Sequence, residues 1–141
     1  LDTGAEGNLK DLLATGKVKI IFADLPSTRL SPMYARYYLY GVNATGDAES
    51  VLRLRRSLFE AAQIKRLASE AALIEYLKEM NLAWKKMDEK PVFAKLNTLM
   101  AENGIDATPT CVIRYSPAQT KKFVGVDDAQ NALVDLKMRL K

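Results

Sequence analysis

Histidine is absent from this sequence, cysteine occurs once, and no apolar run is long enough to cross a bilayer. Without histidine there is no Ser-His-Asp or Cys-His catalytic group, and most zinc sites lose a principal ligand. A single thiol, Cys111, cannot close an intramolecular disulfide or supply a Cys-x-x-Cys pair, so cysteine usage does not fix the redox compartment. A membrane-spanning helix needs about 20 apolar residues. The longest candidates here, such as Val18 to Phe22, are strand-sized. These absences predict a soluble protein without a membrane span, a metal or a histidine-based mechanism.

What is present is an ordinary globular balance. Hydrophobic residues make up 48% and charged residues 27% of 141 residues, which suits one domain with a single core. The net charge of +4 is mild and its positive charges are scattered. The densest cluster is Arg53, Arg55 and Arg56, with Lys65 and Arg66 a little further on. It reads as the solvated face of a helix. A nucleic-acid patch is the alternative, but no aromatic residues are interleaved with the cluster, and no nucleic-acid partner is expected.

Hydrophobic periodicity orders the chain. Asp2 to Gly7 reads as a polar loop, and Asn8 to Thr15 as a short amphipathic helix stopped by Gly16. Val18 to Ala23 is apolar on both faces and predicts a strand inside a covered sheet. Ser31 and Pro32 predict a helix start, serine as cap and proline in the first turn. That helix carries Tyr34, Tyr37, Tyr38 and Tyr40, read as packing between sheet and helical layer rather than as a binding platform.

Asn43 to Asp47 is a turn, and Ala48 to Glu102 is almost wholly helix-favouring. Its expected core positions are Leu52, Leu54, Leu58, Phe59 and Ala62, then Leu67, Ala71, Leu73, Ile74, Leu77 and Met80. Trp84 and Met87 lie in a polar connector, and Pro91 opens a further helix with Phe93, Leu96, Leu99 and Met100, closed at Gly104. The period then changes to two. Thr110 to Tyr115 and Lys121 to Val126 form a β-hairpin about a turn at Ser116 to Gln119. Asp127 and Gln130 have the spacing of a capping box for a last helix that uses Ala132, Leu133, Leu136, Met138 and Leu140.

A proline immediately before a strand cannot donate to the ladder, so Ala107-Thr108-Pro109-Thr110 asks for a backbone reason. Gly16-Lys17-Val18-Lys19, the Ser31-Pro32 helix start, Asn103-Gly104-Ile105, Thr108-Pro109-Thr110 and Phe123-Val124-Gly125 follow one another in an order that resembles the thiol:disulfide interchange proteins of the DsbC/DsbG type, with DsbA-like proteins as near relatives. The resemblance covers almost the whole chain and is loosest from Ala48 to Lys90. It implies an α/β thioredoxin-like fold spanning residues 1–141 as a single domain, with a helical insertion at about 31–104 and a closing β-β-α unit at about 108–141. The fold's usual first strand and the start of its first helix are missing.

The resemblance further implies reduction, oxidation or isomerisation of protein disulfides, in the periplasm or in secreted form. No cofactor is implied. The partners would be protein or peptide thiols and disulfides and a redox partner protein, with a homodimer formed through an N-terminal domain outside these residues. By position, Pro109 would be the cis-proline facing the catalytic pair, and Thr108 would offer its backbone to substrate. The family's Cys-x-x-Cys pair is not in this chain, and its spacing puts the pair at or just before Leu1 to Gly4. Either the pair lies upstream, or the domain binds extended polypeptide without exchange chemistry. Cys111 reads as a small core residue, with a resolving thiol as the alternative. A kappa-type glutathione-dependent transferase or isomerase is a further reading, but Ser27 and Ser31 follow the expected strand and sit wrongly to activate glutathione.

Overall fold

The computed structural model describes residues 3–141, with side chains from residue 5 onward. The described residues form six helices and one two-stranded antiparallel sheet, a mixed α/β arrangement. The helices are α1 (Thr3–Ala14), α2 (Ser31–Ala44), α3 (Ala48–Gln63), α4 (Glu70–Glu79), α5 (Lys90–Glu102) and α6 (Val126–Arg139); the strands are β1 (Thr110–Ser116) and β2 (Gln119–Val124). Two compact units result: one spans Leu1–Leu25 with Val92–Lys141, the other Pro26–Pro91. The helical insertion expected over 31–104 thus meets a unit that closes at Pro91, and α5 falls almost wholly in the first unit. No helix is long and apolar enough to cross a membrane among the described residues.

In the first unit α1 packs against α6, and α6 also lies on both strands. Thr3 to Gly7, expected as loop, is helical, and Ala5 is buried along with Leu9 and Leu12. Ala5, Leu9 and Leu12 share one helix face at four- and three-residue steps, so the amphipathic face extends a turn further back than the leucines alone indicate. Asp2 lies outside the described residues. Gly16 adopts φ +68 and ends the helix as expected, with its amide donating to Leu13 O.

Val18 to Ala23 is a correction. The segment is not in a strand, and Ile21 is 55% exposed. Branched residues give β propensity, but a strand exists only in a ladder, and the sheet of the described residues contains β1 and β2 alone. The hairpin is close to expectation, though β2 ends at Val124 and Val126 already belongs to α6. Pro117 in the turn cannot take the positive φ of the turns that match strand twist, and the register shifts between Arg114 and Ser116. The expected capping box does not form. Gly125, at φ +95, is the residue before the helix, and no side chain caps it. Helix entry two residues earlier puts Asp127 and Asp128 inside the first turn, where their charge favours the helix dipole instead. Met138 is 67% exposed, so it is not a core residue.

In the second unit α2 packs on α3. Ser31 is the first helical residue rather than the cap: Leu30 holds the cap position, and the Ser31 hydroxyl accepts from the amides of Ser27 and Thr28. The true caps are Asp47, which accepts from Ser50 N at 2.7 Å, and Ser69, which accepts from Ala72 N. Leu52, Leu54 and Leu58 are buried as expected, as are Leu73 and Leu77. Phe59 is 52% exposed, and Ala61 takes the buried place one residue away from Ala62. Arg53 and Arg56 are exposed on α3, as a solvated face requires, while Arg55 is half-buried. Arg53 Nη2 donates to Met80 O at the end of α4, and the Arg55 guanidinium lies 5.1 Å from the Tyr38 ring.

The tyrosines of α2 pack, as the sequence indicates. Tyr37, Tyr38 and Tyr40 are buried, and the rings of Tyr37 and Tyr40 meet Trp84 at 5.3 and 6.3 Å. Each such ring pair adds roughly 0.5–1.5 kcal/mol beyond burial. Their hydroxyls reach outward for partners: Tyr34 donates to Leu67 O, Tyr37 to Glu70 Oε1 and Tyr40 to Glu89 Oε2. Lys85 N donates to Tyr40 O, so the connector after α4 is strapped to α2 by backbone as well.

Two predictions follow from this packing. A Cβ added at Gly41 would run into the buried side chain of Leu54, whereas at Gly7 it would meet open space. Gly7→Ala should stabilise by about 0.5–1 kcal/mol through helix propensity. Gly41→Ala gains the same term but incurs overpacking of about 1–3 kcal/mol, so its unfolding midpoint in urea should fall. Equal shifts for both variants would show that α2 and α3 are not in close contact.

Burial raises the pKa of Tyr34, Tyr37, Tyr40 and Tyr76, with Glu70, Glu89 and Glu60 adding to it at Tyr37, Tyr40 and Tyr76 respectively. Unfolded tyrosines ionise near about pH 10. The folded state therefore holds these protons more tightly, and the stability they contribute is full below about pH 10 and lost as pH rises beyond it. Thermal midpoints should decline there, with phenolate absorbance rising together with unfolding. A phenolate titration complete before any unfolding would contradict this.

Candidate functional site

The two residues expected to face substrate, Thr108 and Pro109, stand in a short loop between α5 and β1. Both ends of that loop are fixed. At the α5 end Gly104 takes φ +60 and its amide donates to Ala101 O at 3.1 Å, while Ile105 N donates to Met100 O at 2.9 Å. This pair of bonds is a Schellman motif, which satisfies the last carbonyls of the helix and turns the chain sharply. Lys122 Nζ from β2 donates to Gly104 O at 3.1 Å, tying the turn to the hairpin.

The β1 end is fixed equally tightly. The Thr108–Pro109 peptide is cis, as the resemblance implies. Thr110 Oγ1 donates to Ala107 O at 2.6 Å across the proline, and Gly125 N donates to Pro109 O at 2.9 Å. Pro109 thus stands opposite Gly125, one step beyond the Thr110↔Val124 pair of the ladder. A residue at that place would normally return a second bond, and proline cannot, so the ladder ends there.

Between the fixed ends, Thr108 and Pro109 are both exposed. The amide and carbonyl of Thr108 make no hydrogen bond with any described residue. An exposed peptide group held on both sides can pair with the backbone of an extended chain without an ordering penalty of its own. The loop itself carries an exposed carboxylate, Asp106, and the ammonium of Lys122 reaches the loop at Gly104 O.

Cys111 lies two residues beyond Pro109, opposite Phe123 in the register, and is half-buried. Burial pushes its thiol up from the usual cysteine value. The thiolate is the reactive form, so this is the environment of a packing residue and not of a nucleophile. Among the described residues no cluster of histidine, cysteine or carboxylates could hold a metal ion. A shallow depression along α5 is lined by Ala94, Lys95, Thr98, Leu99 and Glu102, all from one helix, and brings no further element to bear.

Sequence reasoning found Thr108, Pro109 and Cys111 and missed Lys122 and Gly125. Gly125 could have been picked out as a glycine between strand and helix; Lys122 gives no signal, because its role depends on hairpin register. No protein-family model, curated protein or solved structure matches the chain.

For Cys111 the expected outcome is slow alkylation by iodoacetamide in the folded protein, faster after denaturation, and faster as pH rises toward the elevated pKa. Equal rates in the two states would mean that the thiol is accessible and ionised more easily than its burial allows.

Proposed function

We propose that the Ile105 to Thr110 loop is the polypeptide-binding wall of a thiol:disulfide interchange protein with a thioredoxin-like domain. The observation that carries this reading is the exposed Thr108 peptide group, unpaired and held between two fixed ends. In the reaction so read, the first cysteine of a Cys-x-x-Cys pair upstream of Leu1 attacks one sulfur of a substrate disulfide as thiolate. A mixed disulfide forms, the other substrate sulfur leaves as thiolate, and the second cysteine of the pair displaces the first bond. Thr108 would hold the substrate strand beside that pair, in a compartment where disulfides persist, such as the periplasm.

A second reading has its own support. The one thiol in these residues is half-buried and its pKa is raised, which is consistent with a redox-inactive module that binds extended polypeptide through the same loop.

The intact protein should reduce insulin disulfides, and Cys→Ser replacement in the upstream pair should abolish the activity. Thr108→Pro removes the free amide and should lower kcat/KM by about tenfold, one hydrogen bond's worth, while Thr108→Ala keeps the backbone and should have little effect. Thermal unfolding of both variants separates this from misfolding. No reduction, together with retained binding of an unfolded polypeptide, would replace the first reading by the second. Neither reduction nor binding would sink both.

A further inference from the structure

The loop that carries Thr108 also carries a charge. From Ile105 to Thr108 burial alternates: Ile105 and Ala107 are half-buried, while Asp106 and Thr108 are exposed. Both exposed residues stand on the outer side of the loop, and chain geometry keeps their Cα atoms within about 7 Å of each other. The backbone on either side of Asp106 is anchored. Ile105 N donates to Met100 O at 2.9 Å, and Ala107 O accepts from Thr110 Oγ1 at 2.6 Å. The carboxylate thus hangs from a backbone as fixed as the peptide group of Thr108.

The neighbouring charges leave the sign of this place negative. The C-terminal end of α5 brings the equivalent of about half a negative charge. Lys122 Nζ is bonded at that end, to Gly104 O at 3.1 Å, and among the described residues no cation forms an ion pair with Asp106. Lys121 lies opposite Ile113, three ladder steps on from the Thr110↔Val124 pair. Three steps are about 10 Å, the distance at which salt of about 0.1 M screens exposed charges. A chain arriving at Thr108 therefore meets the negative charge of Asp106 first.

We propose that Asp106 is a specificity-determining residue, which selects extended polypeptides with a lysine or arginine close to the residue that pairs with Thr108. The proposal rests on the polypeptide-binding reading of Thr108 and deepens it by naming the substrate class, cationic segments of unfolded chain. The two residues divide the work. Thr108 offers a peptide group that any extended backbone can match, and Asp106 adds a preference for charge. Because the carboxylate is exposed, that preference is modest, about two- to fivefold.

The test uses the intact protein and acetylated, amidated six-residue peptides of alternating Thr and Val, in which one Lys, Gln or Glu is moved through the positions, with binding followed by calorimetry. At the best position Lys should bind about two- to fivefold more tightly than Gln, and Glu more weakly than Gln. In salt of about 0.5 M the three should converge. Asp106→Asn should equalise them at low salt as well, and Asp106→Lys should invert the order. The comparison within the unaltered protein does not depend on the folding of any variant.

Equal affinity for the three peptides at every position, lost in Thr108→Pro, overturns the role of Asp106 and leaves the reading of Thr108 in place. A preference for Lys that survives Asp106→Asn overturns it too, since another group would then supply the charge. A preference abolished by Asp106→Asn but indifferent to Thr108→Pro keeps Asp106 as the selecting residue and overturns the reading of Thr108. No binding of any peptide overturns both.

Discussion

The first unit is closed by a contact between residues 129 apart in the chain, Asn8 and Lys137. Lys137 Nζ also lies 2.6 Å from Asp11 Oδ2, so one ammonium joins two side chains of α1 to the last turn of α6. That ion pair is largely solvated on the Asp11 side and contributes no more than about 1 kcal/mol. The burial of Leu9, Leu12 and Ala132 is larger, since each fully buried leucine adds roughly 1.5–3 kcal/mol. Apolar packing thus holds α1 on α6, and the lysine selects which turn faces which. Closing so long a stretch of chain is tolerable because its entropic cost grows only with the logarithm of length. A whole helical unit can therefore stand between the two halves.

With α6 so anchored, the loop that bears Thr108 inherits its position. Gly125 is the joint. Its positive φ lets the chain leave β2 and enter α6 with no intervening residue, and its amide is the one that holds Pro109 O. A side chain there would be strained in that backbone conformation. Gly104 serves the opposite end in the same way, reversing the chain after α5 while its carbonyl accepts from Lys122. Both glycines take positive φ, and both are tied to the hairpin or to the loop beside it. The exposed peptide group between them is therefore displayed by the fold, not left over at the end of a flexible segment.

Features set by local chemistry were legible in the sequence. Gly16 and Gly104 end helices because a left-handed residue is needed there, and the period-two run after Pro109 could only be a hairpin. The tyrosines of α2 pack because rings at helical spacing bury more readily than they serve a ligand. Features that depend on a partner were not legible. Val18 to Ala23 has strand composition without a ladder beside it, and composition cannot supply the neighbour. Ser31 and Asp127 have cap chemistry, yet the helices are capped one and two residues earlier, at Leu30 and Gly125, which only backbone geometry decides. Phe59 and Met138 fit an apolar period and still face out, since periodicity marks a stripe but not its width. At the loop, Pro109 was legible as a proline immediately before a strand and Thr108 only through the resemblance, whereas Lys122 was hidden because its place comes from register across the hairpin.

At the loop between α5 and β1 the chemistry on display is chiefly that of the backbone. The chain's one thiol is half-buried opposite Phe123 with a pKa raised by burial, the sequence has no histidine, and no cluster of cysteine and carboxylates among the described residues could hold a metal ion. What remains at the loop beside the Asp106 carboxylate is the Thr108 peptide group, with a donor and an acceptor that no described residue pairs, held between two fixed ends. Such a surface discriminates by conformation: it rewards a chain that is already extended and rejects one that is folded, because a folded chain has spent its peptide groups internally. The same surface would serve an exchange enzyme or a passive binder, and the difference between them rests on sulfur supplied from outside these residues.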